Sequence, residues 1–289
     1  GLKSIAGSKL RDYIDRYTSK PWKGMLVGMI LTVVIQSSSA TSAIAISFVR
    51  AGLMTLEQSV GIIIGANIGT TVTSFLIGLK VEALALYFVF LGVLIFMFGK
   101  RKKVTYAGQI LLGFGMLFFG LRLMGDELSM LGHTEAFAAL ATAMADHPLL
   151  GIITGIIMTA LVQSSSAMIG IVQKIYEAGG LTLTAALPLV FGSNIGTTIT
   201  AIIASIGGSL SAKRSAAINV IFNVLGTILF MILLHPFAQF IETLSAQFDI
   251  SPMMQIAIAT IIRALVISLI AYPFIKTMVA FAKKVLPGE

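Results

Sequence analysis

Two polar runs sit inside otherwise apolar stretches of this chain, and each occurs twice. Gln36-Ser37-Ser38-Ser39-Ala40 returns as Gln163-Ser164-Ser165-Ser166-Ala167. Gly65-Ala66-Asn67-Ile68-Gly69-Thr70-Thr71 returns as Gly192-Ser193-Asn194-Ile195-Gly196-Thr197-Thr198, and Thr73 has its counterpart in Thr200. All are displaced by 127 positions without a gap. A dehydrated Na⁺ needs several hard oxygen donors, and an oxyanion needs hydrogen-bond donors. Ser and Thr hydroxyls supply both, while Gln and Asn add a carbonyl and an amide. The candidate substrate and ion ligands are therefore Gln36, Ser37, Ser38, Ser39, Asn67, Thr70, Thr71 and Thr73, with Gln163, Ser164, Ser165, Ser166, Asn194, Thr197, Thr198 and Thr200. The metal would be Na⁺, held by these side chains and by backbone oxygens. No acidic residue lies near the motifs, so cation sites would be neutral and a carboxylate proton relay is disfavoured. Small polar residues also let membrane helices pack closely. Gln is not small, however, and duplication at a fixed spacing favours a site built from both copies.

The segments that carry these residues belong in a bilayer. At 57% hydrophobic and 11% charged, the chain lies far outside the composition of soluble domains, so the fold class is an all-α polytopic membrane protein. A formal charge of +8 in such a chain reports orientation rather than nucleic acid binding. With no cysteine, disulfides and thiol chemistry are excluded. Residues 1–23 carry six Lys or Arg among Leu2, Ile5, Leu10, Tyr13, Ile14, Tyr17 and Trp22, the pattern of an amphipathic helix lying on the membrane. Spans are expected at 59–79, 82–99, 107–124, 185–206, 215–234 and 253–281. Residues 24–49 are different. At a helical rise of about 1.5 Å per residue, Gly24 to Gln36 reaches about 20 Å and Ala40 to Val49 about 15 Å, against a hydrocarbon core of roughly 30 Å. A re-entrant hairpin with Gln-Ser-Ser-Ser at its tip follows, and residues 149–176 repeat it. At such a tip the second half-helix aims free N–H groups into the site, which suits an anion. The glycines of the second motif predict a broken transmembrane helix in each copy.

If the hairpins do not cross, three spans separate the two tips. Three is odd, so the halves are inverted repeats. Charge agrees, because this arrangement gathers fifteen of the 20 Lys and Arg on one side: residues 1–23, Arg50, Lys100 to Lys103, Lys213-Arg214 and Lys283-Lys284. The domain reading is a first repeat over 1–106, a second over 107–234, and a final helix with a junction over 235–289. Because the second repeat opens on a span before its amphipathic stretch, the symmetry predicts a further helix upstream of Gly1.

The twin motifs resemble the type II sodium/phosphate cotransporter family over nearly the whole chain. That resemblance implies Na⁺-coupled symport of inorganic phosphate by alternating access across the cytoplasmic membrane, with Gln36 to Ser39 and Gln163 to Ser166 at the tips lining the substrate and sodium sites. It also implies an additional first helix and a cytoplasmic region after Leu286-Pro287-Gly288-Glu289. The partners are phosphate, Na⁺ and the lipid bilayer, a homodimer is compatible, and no cofactor is expected beyond the coupling ion. One departure stands out. Where the family pattern has His-Thr-x-Phe-Asn, the last span reads Ala259-Thr260-Ile261-Ile262-Arg263, while Phe222-Asn223 in the span before it is ordinary. Arg263 and Asn223 are therefore secondary candidates. A charge inside an apolar span requires a partner, and an Arg can hold phosphate bidentately. Competing readings are an Na⁺-independent oxyanion channel, a carrier of another oxyanion, and an intramembrane hydrolase. The hydrolase lacks a base: apart from Lys174 near an end, no His, Lys or Asp lies in the segments bearing the Ser runs, so the chain is read as a non-enzyme.

Overall fold

The computed structural model describes residues 12–288, which form no strand. Six helices are long and apolar enough to cross a membrane: Leu56–Gly78, Val81–Phe98, Lys102–Gly132, Leu183–Ser205, Leu210–Ile232 and Pro252–Val285. Each contains or overlaps an expected span. The segment Glu135–Asp146 plus Pro148–Val162, bent by 118°, passes the same test only as a pair. Leu2, Ile5 and Leu10 of the predicted amphipathic stretch lie outside the described residues. Residues 12–18 are helical and bury Ile14 and Thr18, one turn apart.

Helix α1 (Pro21–Ile35) starts on a proline, whose missing N–H is no loss in a first turn. It stops at Gln36, held left-handed at φ 59°, ψ 30°. Ser37 follows in extended backbone, and α2 (Ser38–Arg50) begins. The chain folds back here. Thr32 Oγ1 donates to Thr41 Oγ1 at 2.9 Å, although a continuous helix would separate residues nine apart by about 13 Å. The second copy has the same joint: α7 (Pro148–Val162) ends at Gln163, φ 58° and ψ 24°, and Ser164 caps α8 (Ser165–Glu177). A left-handed non-glycine residue is a strained choice, and it is made identically at both tips. With 15 and 13 residues per pair, no arm reaches across a bilayer alone.

Each hairpin lies against the helix that carries the second motif, α3 (Leu56–Gly78) for the first and α9 (Leu183–Gly196) with α10 (Thr198–Ser205) for the second. Contact is at backbone distance. A Cβ added at Gly28 would stand 2.0 Å from Ile62 O, and one at Gly65 1.9 Å from Met25 O. The second copy repeats this with the same partners 127 positions on: Gly155 against Leu189 O at 2.3 Å and Gly192 against Ile152 O at 2.2 Å. Close helix approach through small residues is how membrane helices associate where burial supplies little driving force.

This use of glycine corrects one expectation. Through the first motif α3 stays continuous, and only the second copy breaks, for one residue at Thr197 between α9 and α10. The glycines serve packing rather than unwinding, and the polar side chains bond back within the helix: Asn67 Nδ2 to Ile63 O, Thr70 Oγ1 to Ala66 O and Thr71 Oγ1 to Ile68 O.

The remaining helices frame these two units. A 3₁₀ turn (Val81–Leu84) leads into α4 (Ala85–Phe98), which pairs tightly with α5 (Lys102–Gly132) through Gly92, Gly108 and Gly115. Then come α6 (Glu135–Asp146), α11 (Leu210–Ile232), an amphipathic α12 (Leu234–Phe248) absent from the expected spans, α13 (Pro252–Ala271) and, past a 3₁₀ turn, α14 (Ile275–Val285). The largest apolar core lies among α8, α9, α11, α12 and α13, around Leu187, Val190, Phe191, Ile218, Phe230 and Ile256. Polar ties mark the two ends of the bundle. At one, Gln58 Nε2 donates to Asp15, and the Arg214 guanidinium donates to the carbonyls of Leu286 and Gly288. At the other, Lys80 pairs with Glu177 at 2.6 Å and Lys174 pairs with Glu82, while Tyr176 donates to Gln255 at 2.6 Å. Hairpin α1–α2 has its open end beside the start of α3, where Gly24 faces Gln58 and Gly61, and hairpin α7–α8 has its open end beside the finish of α3, where Gln173 donates to Ser74 O and Glu177 pairs with Lys80.

Candidate functional site

At each tip the glutamine is a structural latch. Gln36 Nε2 donates to Val33 O at 2.7 Å, satisfying a carbonyl at the end of α1, while its Oε1 accepts from Thr73 Oγ1 of α3 at 2.5 Å. Gln163 does the same with Ala160 O and Thr200 Oγ1. The first serine of each run is an N-cap: Ser37 Oγ accepts from Ala40 N at 3.1 Å and Ser164 Oγ from Ala167 N at 3.2 Å. These four residues, with Thr73 and Thr200, fix the tips in place. Their hydroxyl and amide groups are largely engaged with the protein.

A second set of polar side chains converges between the units, near the middle of α3 and of α9–α10; many of them donate back to their own helix and keep acceptor oxygens to spare. A first small cavity is lined by Ser38, Ser39 and Ser42 of α2, Asn67 of α3, Asn194 with Thr197 and Thr198, Ala201, and Asn219 and Asn223 of α11. A second is lined by Asn67, Thr70, Thr71 and Ser74 of α3, Ile169 of α8, Asn194, and Thr260, Arg263 and Ala264 of α13. Part of their lining is related by the repeat. Adding 127 converts Ser42, Asn67, Thr70, Thr71 and Ser74 into Ile169, Asn194, Thr197, Thr198 and Ala201. Asn67 and Asn194 belong to both cavities and form the wall between them. Each leaves about 10 Å³, room for one water-sized sphere and too little for a tetrahedral oxyanion.

Of the residues predicted from sequence, Ser38, Ser39, Asn67, Thr70, Thr71, Asn194, Thr197, Thr198, Asn223 and Arg263 are brought together here. Ser165 is buried but lines neither cavity. Ser164 and Ser166 face a larger side cavity of about 290 Å³, shared with Gln36, Thr73 and Gln109. The repeat is thus exact at the tips and inexact in what the tips face. Sequence reasoning missed Ser42, Ser74, Asn219 and Thr260. Ser42 sits one helical turn beyond Ser38, and Asn219 one turn before Asn223, an i, i+4 pair in an apolar span that was itself a signal. Asn223 Nδ2 donates to the backbone and side-chain oxygens of Asn219 at 2.9 and 3.0 Å. Its own Oδ1 is buried without a partner.

Arg263 is 3% exposed. Its Nη2 donates to Thr227 Oγ1 at 3.2 Å and its guanidinium carbon lies 5.3 Å from the Phe191 ring centroid. Among the described residues the ion pairs are Lys80–Glu177 and Lys174–Glu82, and neither involves Arg263.

A family model described as Na⁺/Pi-cotransporter matches the chain in two successive segments, residues 1–126 and 125–282. YqeW of Bacillus subtilis is 33% identical over 202 residues, 70% of this chain and 66% of that protein. The putative inorganic phosphate export protein YjbB of Salmonella typhimurium is 24% identical over 290 residues, 100% of this chain and 52% of its own length. The sodium-dependent phosphate transport protein 2A of Ovis aries is 39% identical over 75 residues, 26% of this chain and 11% of that protein. The chain spans about half the length of the YjbB proteins it matches. No solved structure matches it.

Proposed function

Because the chain belongs to the Na⁺/Pi-cotransporter family, we propose that its paired cavities form one Na⁺-coupled site for inorganic phosphate, carried across the cytoplasmic membrane by alternating access. The observation that carries this reading is the pairing itself: two oxygen-rich cavities displaced by 127 residues and sharing Asn67 and Asn194. A site built from both halves changes shape whenever the halves move against each other, which is what a carrier needs. We read the halves as inverted repeats, so that each hairpin gates access from its own end.

Coupling follows from charge. Moving HPO₄²⁻ against a membrane potential of about 100 mV, negative inside, requires roughly 4.6 kcal/mol, at about 2.3 kcal/mol per elementary charge. Two inward Na⁺ offset that electrical work, and a tenfold Na⁺ gradient adds about 1.4 kcal/mol for each ion. Neutral hydroxyl and amide oxygens suit the cation, and hydroxyl and amide donors suit the oxyanion. Relatives named as export proteins fit the same device, since a coupled carrier runs in whichever direction the summed gradients point. Against the channel reading stands the narrowness of both cavities, each with space for a single water.

The test is uptake of radiolabelled phosphate into proteoliposomes holding the full-length protein, with an inward Na⁺ gradient and with K⁺ in its place. Uptake that follows Na⁺ is expected. Uptake indifferent to the cation refutes the coupling, and none with either cation refutes phosphate as substrate.

A further inference from the structure

The two cavities share walls but differ in what the third helix adds. To the first, α11 contributes Asn219 and Asn223, leaving it wholly neutral. To the second, α13 contributes Thr260 and Arg263. Resting on the reading above, we propose that Arg263 is the oxyanion-selecting residue, so that the cavity of Thr70, Thr71 and Arg263 takes phosphate while the neutral cavity of Ser38, Ser39 and Thr197 takes Na⁺.

The unsatisfied atoms of the two cavities have opposite sense. In the second, Arg263 Nε is a buried donor without a partner, and Ser74 Oγ on the same wall is likewise unpartnered. In the first, Asn223 Oδ1 is a buried acceptor without a partner. A guanidinium offers five N–H donors, and the protein engages Arg263 through one hydrogen bond, to Thr227. A buried cation without a carboxylate beside it is costly in a helical bundle, and a ligand that supplies the counter-charge would offset that cost. An orphan acceptor has the complementary need, which a dehydrated Na⁺ meets.

Sequence symmetry alone would not have separated the two roles, because the motif residues on both sides are the same. The asymmetry comes from α13, where Arg263 stands at the end of the departing Ala259-Thr260-Ile261-Ile262-Arg263 segment. Size does not separate the two cavities, since each leaves about 10 Å³: a Na⁺ fits such a space as it stands, whereas phosphate requires its cavity to widen. The wall that must yield includes α13 itself, so Arg263 would meet phosphate as the site opens and follow it as the site closes.

The experiment is equilibrium binding to purified full-length protein in nanodiscs: radiolabelled phosphate at saturating Na⁺, and ²²Na⁺ without phosphate. Arg263→Gln is expected to raise the phosphate Kd by ~100-fold or more, the effect of truncating one partner of a buried charge-assisted contact, while ²²Na⁺ binding stays within threefold of wild type. Asn223→Ala is expected to do the reverse in the phosphate-free measurement, abolishing ²²Na⁺ binding. Where Arg263→Gln yields no folded protein, Arg263→Lys decides: it keeps the charge, loses the fork, and is expected to weaken phosphate by about tenfold with ²²Na⁺ unaffected. Retention of wild-type phosphate affinity in the folded Arg263 variant would overturn the assignment, as would equal loss of both ligands. Wild-type protein that binds no phosphate at any Na⁺ concentration would instead overturn the transport reading itself.

Discussion

Gly65→Ala tests whether the hairpin is locked to α3 as closely as the backbone places it. The new Cβ would meet Met25 O at 1.9 Å, and real Cβ contacts are essentially never shorter than 3.0 Å, so α1 and α3 must part by about 1.1 Å locally. The obstacle is a backbone carbonyl, which no rotamer change can move aside. Overpacking of this kind costs about 1–3 kcal/mol, and a backbone clash belongs at the upper end. The helix-propensity gain of alanine over glycine returns about 1 kcal/mol. A net loss of about 2 kcal/mol follows, with a melting temperature several degrees lower for the purified protein. Function should suffer more than stability. A shift of about 1 Å separates Ser38 and Ser39, which follow α1 around the hairpin, from Asn67 on α3, and misplacement on that scale can cost ~100-fold where geometry is demanding. Na⁺-dependent phosphate uptake should therefore fall by at least tenfold. Gly192→Ala, with its Cβ 2.2 Å from Ile152 O, should behave alike. Gly120→Ala on α5 is the control, since nothing lies within 4 Å of its Cβ, and it should be neutral or slightly stabilising. A Gly65→Ala protein that melts and transports like wild type while Gly120→Ala does the same would refute the reasoning.

Two further outcomes separate the tip residues by role. Ser37→Ala removes a helix cap and should lower stability by about 1 kcal/mol with phosphate affinity largely kept, whereas Ser38→Ala should leave the melting curve unchanged and raise the apparent KM for phosphate or Na⁺; thermal denaturation beside uptake kinetics reads both. In a double-mutant cycle on Gln36→Leu and Thr73→Val, the latch should appear as a coupling of about 1 kcal/mol, and a coupling indistinguishable from zero would deny it.

The hairpins could be read from the chain because their arms are too short to cross and their polar middles have no place in hydrocarbon, a constraint that acts on sequence before any tertiary contact forms. The six long spans followed from length and hydropathy for the same reason. What stayed hidden depended on neighbours. Gly65 and Gly69 have the composition of an unwound stretch, yet the close approach of α1 turns them to packing, and back-bonding by Asn67, Thr70 and Thr71 keeps α3 whole. The glutamines look like ligands by type, but only the fold shows Thr73 and Thr200 already bound to them. Asn219 and Thr260 lie outside the repeated motifs, on helices whose proximity to the site is a matter of packing. Helix α12, short and amphipathic, lacked the uniform apolarity that marks a span.

The two ends of the bundle are tied by different chemistry, and this makes them respond differently to ionic strength. Lys80–Glu177, with side chains 46% and 31% exposed, is an ion pair open to the medium, and mobile ions screen such a pair over a Debye length of about 8 Å at physiological salt. At the other end Arg214 is held by the neutral carbonyls of Leu286 and Gly288, which added salt weakens far less. On the proposed reading, in which Na⁺ is the coupling ion, sodium salt in the medium bathing the Lys80 end would act twice: as a source of ligand and as an electrolyte that loosens the tie between α3 and the second hairpin. Replacing NaCl by choline chloride at constant ionic strength holds the second effect fixed while removing the first.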